Sequence, residues 1–375
     1  MLTYQKLDLM LQPIYQLPDL PPNAELETIA VLQAQSNAHR YLAELKGRAH
    51  IIPNQSILID TLGLQEAKAS SEIENIVTTQ DELFQTNLLS HDSLIGPAKE
   101  VALYRDALKL GFDAMQKHHG IITNNILIKM FQLLKGTTAV FRVTPGTALK
   151  NQFTGEIIYV PPQDANMIIS YMSKLENFIN NDDASHLDPL IKMAIIHHQF
   201  ESIHPFSDGN GRIGRILNVL YLTRSNLLET PILYLSRGIN RSKSEYYRLL
   251  QGVREENKNW ERWIVYMLNR VSETAKITLK LVDGINKLMH EYKKKMRTET
   301  SKLYSQDLLN NLFRYPYTRI EYVQKDLDIS RQTASKYLEQ LVDAGLLEKY
   351  QAGRNQYYIN TQLVNLLIRA SESAV

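Results

Sequence analysis

The sequence predicts a mainly α-helical protein, with one short β-hairpin set into its helical core and a small C-terminal domain of different texture. Three observations carry that expectation. Apolar residues recur at helical spacing through most of the chain before residue 300. The pattern lapses between 136 and 162, a stretch punctuated by Pro145, Gly146, Gly155 and Pro161-Pro162. Beyond 300, short helical segments give way to two strand-like runs, Leu346 to Tyr350 and Gln356 to Ile359, on either side of Gly353. The expected division is an N-terminal helical region (1–95), a core (96–285), a basic helical linker (286–300) and the C-terminal domain (301–375).

Prolines at 13, 18, 21 and 22 keep the first segment extended, and Asn23 is placed to cap a helix carrying Ile29, Leu32, Leu42 and Leu45 as far as Gly47. Pro53 closes that region. Asn54 caps the next helix, which carries Ile57, Leu58, Leu62 and Leu64 into the run Ala67 to Asn75. Helices follow at 96–117 and 123–135. A turn at Thr154-Gly155, flanked by Gln152, Phe153, Ile157, Ile158 and Tyr159, makes the hairpin. Helices resume at 164–180 and 187–200. A long one runs from Trp260 toward Arg297 and ends in the basic stretch Tyr292 to Arg297.

Composition narrows the function. With 44% hydrophobic and 22% charged residues, the 375-residue chain reads as a globular protein of two or three domains. Its 42 Lys and Arg against 40 Asp and Glu exert no global pull toward nucleic acid or an anionic membrane, so any basic surface is local. The absence of cysteine excludes disulfides, thiolate metal sites and cysteine nucleophiles. The N-terminus is broken by Asp8, Gln12 and Pro13 and lacks the apolar run of a signal peptide, and no stretch approaches a membrane span. A cytoplasmic protein with no membrane partner is expected.

The chemistry concentrates at residues 204–215, His-Pro-Phe-Ser-Asp-Gly-Asn-Gly-Arg-Ile-Gly-Arg, between an apolar helix ending near Ile203 and a second helical face of Ile213, Ile216, Leu217, Leu220 and Tyr221. Gly209, Asn210 and Gly211 thus sit at a helix N-terminus, where backbone N–H groups and the helix dipole favour an anion. His204 can accept a proton near neutral pH. Asp208 is a hard oxygen ligand suited to Mg²⁺ on a phosphate chain. Arg212 and Arg215, three apart, share one side of the helix and can fork onto phosphate oxygens. Phe206 anchors the loop in the core. Taken singly, a histidine before a loop or a Gly-Asn-Gly turn is as well explained by packing. Together they point to phosphate chemistry.

This stretch resembles the complete signature of the Fic family: His, any residue, Phe, any residue, Asp or Glu, Gly-Asn-Gly-Arg, two residues, Arg. The similarity of layout extends over roughly residues 60–270. It implies a helical core that binds ATP and Mg²⁺ and transfers AMP to a Tyr, Ser or Thr hydroxyl of a target protein, and to itself. In that scheme His204 deprotonates the hydroxyl and Asp208 holds the metal. The backbone of Gly209, Asn210 and Gly211 cradles phosphate oxygens, with Arg212 nearest the β-phosphate and Arg215 the γ-phosphate. The 150–160 hairpin takes the place of the family's flap, which pairs with the target. Tyr246 and Tyr247 are candidates to line the adenine pocket, or an ordinary helix-surface and core pair.

Ser70 to Asn75 resembles the family's inhibitory motif, Ser or Thr, three residues, Glu, then Gly or Asn. By that resemblance Glu74 would pair with Arg215 and deny it to the γ-phosphate, and Ser70 would help to hold the helix. Near the C-terminus, Leu327 to Ser330 makes a turn, Ser330 caps a helix carrying Ala334, Leu338 and Leu341, and Gly345 stops it before the strand pair. This is similar to a winged helix-turn-helix, a fold that reads DNA through its second helix. Residues 301–375 hold nine Lys or Arg (302, 314, 319, 325, 331, 336, 349, 354, 369) against eight Asp or Glu (307, 321, 326, 328, 339, 343, 348, 372). The segment is therefore a poor electrostatic reader of DNA, although Arg331, Lys336 and Arg354 could form a small patch. Protein recognition or a homodimer is favoured over DNA. Two rival readings stay open: the same site removing AMP or moving another nucleotide group, and a winged-helix transcriptional regulator that senses ATP.

Overall fold

The protein is described by a computed structural model covering residues 16–79, 82, 96–150, 154–352 and 355–372. The described residues form fourteen α-helices and two small antiparallel sheets. In chain order the helices are α1 (Ile29–Ala49), α2 (Gln55–Ile73), α3 (Gly96–Lys117), α4 (Asn124–Lys135), α5 (Ala165–Asn180), α6 (Pro189–Ile203) and α7 (Asn210–Arg224), then α8 (Leu235–Arg241), α9 (Lys243–Glu255), α10 (Trp260–Glu299), α11 (Gln306–Arg314), α12 (Ile320–Leu327), α13 (Arg331–Asp343) and α14 (Thr361–Glu372). Strands β1 (Leu149–Lys150) and β2 (Ile157–Tyr159) pair with each other, and β3 (Tyr317–Thr318), β4 (Glu348–Ala352) and β5 (Asn355–Ile359) form a sheet in the order β3-β5-β4.

The chain divides into two compact units. One takes the residues up to Leu42, Asp106–Pro231 and Gly238–Ser272; the other takes Ala43–Arg105, Ile232–Arg237 and the chain from Glu273 onward.

In the first unit α6 and α7 are the buried centre. Every residue of α6 after Pro189 is buried, as is nearly all of α7, so both helices are packed on every side, and their polar side chains are buried with them. Gly214 lets the two meet closely: a Cβ there would stand 2.5 Å from Glu201 Oε1 and 3.1 Å from Phe200 Cδ1. The helix ends follow local chemistry. Thr123 caps α4 at the Ile126 N–H, Asp164 caps α5 at Met167, and Asp188 caps α6 ahead of Pro189. Gly136 ends α4 in the left-handed region at φ 60°. One expected cap is corrected. Helix α1 begins at Ile29 rather than after Asn23, with the Thr28 hydroxyl 3.4 Å from the Val31 N–H; the chain from Gln16 to Thr28 is irregular. Leu149 pairs with Tyr159 and Lys150 with Ile157. Ile157 and Ile158 are exposed and Tyr159 is buried. Gln152 and Phe153 of the expected hairpin lie outside the described residues.

In the second unit α2 starts at Asn54, whose side chain accepts from the Ser56 N–H. Its buried Glu66 accepts from the Tyr104 hydroxyl at 3.2 Å and from the Ser236 N–H at 2.9 Å. Helix α2 also packs against α11, where Arg314 Nε donates to Asp60 Oδ2 at 2.6 Å. Ser330 caps α13, and Ala334, Leu338 and Leu341 are its buried face. Helices α12 and α13 with the β3-β5-β4 sheet have the layout of a winged helix-turn-helix. Strand β4 is found two residues later than expected, at Glu348–Ala352. Gly353 and Arg354 lie outside the described residues.

Candidate active site

The loop from His204 to Gly209 joins α6 to α7, and each of its residues has a local reason for its place. Phe206 is fully buried and stacks on Phe131 with ring centroids 4.2 Å apart. The side chain of Asn210 closes the loop on itself: Oδ1 accepts from the Phe206 N–H and Nδ2 donates to the Phe206 carbonyl, both at 2.8 Å. Asparagine is thus needed for its side chain as well as its backbone. Gly209 precedes α7 in the left-handed region at φ 74° and brings no side-chain oxygen to cap the first turn. The donors of that turn suit an incoming anion.

His204 sits where α6 ends, at φ 51° and ψ 59°, with its N–H donating to the Phe200 carbonyl. The carbonyls that a helix leaves unsatisfied at its C-terminus are claimed here by three side chains. Arg254 Nη2 donates to the Glu201 carbonyl at 3.2 Å, and the Tyr159 hydroxyl to the Ser202 carbonyl at 2.7 Å. Arg142 Nη2 donates to the Ile203 carbonyl at 3.4 Å and Arg142 Nε to the His204 carbonyl at 2.8 Å. Arg142 also donates to the Pro162 carbonyl, and its backbone N–H to the Pro205 carbonyl at 2.8 Å. The Arg254 guanidinium lies 3.9 Å from the centroid of the Tyr159 ring. Burial pulls the Arg142 guanidinium down to about 10, so it stays charged at neutral pH. Sequence reasoning missed all three residues, because an isolated Arg or Tyr carries no pattern.

Asp208 is exposed, and its carboxylate receives Lys135 Nζ at 2.7 Å and the Gly209 N–H at 2.6 Å. Burial would raise its pKa, but the hydrogen bond and charge of Lys135, with the Gly209 N–H and Arg212, hold it below the usual carboxylate value. It is ionised and available to a hard cation. Arg212 and Arg215 are both buried on α7. Beside Arg215, His197 is pushed down to about 3, chiefly by burial and then by that guanidinium. It is a neutral core histidine.

Tyr246 and Tyr247 separate. Tyr246 is 1% exposed with its hydroxyl 2.9 Å from His197 Nε2, whereas Tyr247 is 42% exposed, the two rings meeting edge to face. Ser70 is fully buried on α2, and Glu74 is the residue at which that helix stops. Asn75 takes φ 62°, its N–H donates to the Glu72 carbonyl, and the Ile76 N–H donates to the Ser71 carbonyl. This pair of bonds is a Schellman stop, which asks for Gly or Asn at that position.

Comparison with known proteins agrees with this layout. The Fic/DOC family N-terminal description matches residues 32–113 and the Fic/DOC family description residues 113–222, together half of the chain. Residues 288–363 match the C-terminal domain described as protein adenylyltransferase SoFic-like. A protein adenylyltransferase of Caenorhabditis briggsae is 24% identical over 178 residues, covering 45% of this chain and 32% of its own. A probable protein adenylyltransferase of Aquifex aeolicus is 28% identical over 175 residues, covering 45% of this chain and 51% of its own. The chain thus spans between a third and a half of the length of these relatives. The crystal structure of a Fic family protein from Desulfovibrio desulfuricans matches 92% of this chain and 98% of its own, with a TM-score of 0.53 at 19% identity, a likeness of fold. From its N-terminal helices through the His204 loop, the chain belongs to the Fic/DOC family.

Proposed function

We propose that this protein is an adenylyltransferase that moves AMP from ATP to a protein hydroxyl, its own included. The observation that carries the reading is the α6–α7 loop, which carries His204 at a helix end, an ionised Asp208 four residues on, and an uncapped, arginine-bearing helix N-terminus. His204 takes the proton of the target hydroxyl as its oxygen bonds to the α-phosphorus. The bond from the α-phosphorus to the bridging oxygen breaks, and pyrophosphate leaves with that electron pair. Arg212, Arg215 and the backbone N–H groups at the start of α7 bind and orient the phosphate oxygens. Positioning and fixed charge of this kind supply most of the rate in phosphate transfer.

Asp208 fits a metal bound on a phosphate chain, since Mg²⁺ there needs only one or two carboxylates and takes its other oxygens from phosphate and water. Bound, Mg²⁺ would neutralise charge on the phosphates. Organised by role rather than compactness, residues 1–95 carry the brake, 96–285 the chemistry and 301–375 a recognition domain.

Glu74, at the end of α2, restrains transfer in the way its motif implies. The test is incubation with ATP labelled at the α-phosphate, with and without a chelator, for the unchanged chain and Glu74→Gly. Label should enter protein, be lost in chelator, and rise on the order of 30- to 150-fold in the variant if the inhibited state is favoured by about 2–3 kcal/mol. No label in either protein would sink the activity. Label that persists in chelator would remove the metal, and equal rates would remove the brake.

A further inference from the structure

Lys135, the last residue of α4, enters no part of the family signature, yet it is bonded to it. Its ammonium is 2.7 Å from Asp208 Oδ2, and it is the more covered partner, 24% exposed against 65%. Its Cδ lies 3.6 Å from the position a Cβ would take on Gly209, and Arg212 Nη2 lies 3.6 Å from the same point. Side chains from α4 and α7 therefore flank the bare Cα at which α7 begins. An ion pair this open contributes little to folding, and Gly136 already ends α4 in a left-handed cap. The fold does not need the contact; the charge of Asp208 does.

A carboxylate turned toward a triphosphate repels it unless a cation stands between them. We propose that Lys135 is that cation when no metal is present: it neutralises Asp208 before the nucleoside triphosphate arrives and yields the carboxylate to a divalent metal when one binds. The inference rests on the ATP-binding reading of this loop. It makes Lys135 a charge-compensating residue of the nucleotide site, set outside the stretch by which the site is recognised.

The experiment is a calorimetric titration of ATP into the full chain, in chelator and in saturating Mg²⁺, for the unchanged protein, Lys135→Met and Lys135→Arg. Methionine keeps the apolar stem over Gly209 and removes the charge. The quantity that decides is the ratio of Kd in chelator to Kd in Mg²⁺. In Lys135→Met it should rise about tenfold, the size of one charge-assisted hydrogen bond, because Asp208 then faces the phosphates bare unless metal covers it. Lys135→Arg should return the ratio toward that of the unchanged protein. A contact that only braces the loop would weaken binding equally in both conditions. An unchanged or smaller ratio in a folded Lys135→Met therefore overturns the proposal. If the unchanged protein binds no ATP, the reading of the site falls and this inference with it; if it binds and the ratio is indifferent to Lys135, only the inference falls.

Discussion

Helices α7 and α13 both begin straight after a tight turn, and they differ in what waits at the first turn. Before α7 stands Gly209, left-handed and without a capping oxygen. Before α13 stands Ser330, whose hydroxyl accepts from the Thr333 N–H at 3.1 Å. The cations differ likewise. Arg212 and Arg215 are buried along α7. Around α13, Arg331 is held by Glu321 at 2.6 Å, and Lys349 of the wing by Glu339 at 2.7 Å. A helix N-terminus becomes an anion site when its own cap is withheld. It is a structural joint when serine fills it and carboxylates answer the nearby cations. Winged-helix layout alone therefore does not make α13 a reader of phosphates, and we read its domain as meeting protein.

The comparison breaks most visibly at α7. His204→Ala should lower AMP transfer by about 10²–10⁴-fold while leaving ATP affinity nearly unchanged, since the lost group serves the hydroxyl and not the phosphates. Initial rates and calorimetric ATP titration check it together, and near-normal transfer would remove His204 as the base. A middle-sized effect is expected at α13. Freeing its cations with Glu321→Gln and Glu339→Gln should raise non-specific duplex DNA binding several-fold at low salt, from a weak start. Tight, steeply salt-dependent binding by the unchanged chain in an anisotropy titration would reverse the reading of that domain. The smallest effect is local. Ser330→Ala should cost about 1 kcal/mol of stability, the usual worth of an N-cap, measured by urea unfolding, with no change in transfer rate. A lost rate at full stability would mean that α13 does more than hold a joint.

Much of the local structure that carries the candidate site was legible in the sequence because local rules govern it. The His204 to Arg215 run carries its own helix stop, turn and helix start, and Asn54 and Ser330 cap the helices they precede. The helix stop at Asn75 was not read from the sequence, although the same local rule governs it. The rest of what escaped depends on distance along the chain. Arg142 and Tyr159 reach the end of α6 from 62 and 43 residues before it, and Arg254 reaches back 53. No spacing rule ties such residues to the carbonyls they claim. The error at Asn23 has the opposite origin. A good capping residue was present, but Thr28, five residues later, begins the helix that packs.

The bond between Asp60 and Arg314 ties α2 to α11, a helix of the C-terminal segment. Asp60 lies fourteen residues from Glu74 along α2, about 21 Å of axial rise. A continuous helix fixes the separation of these two points. The C-terminal segment is thus fastened to the same helix that stops at Glu74.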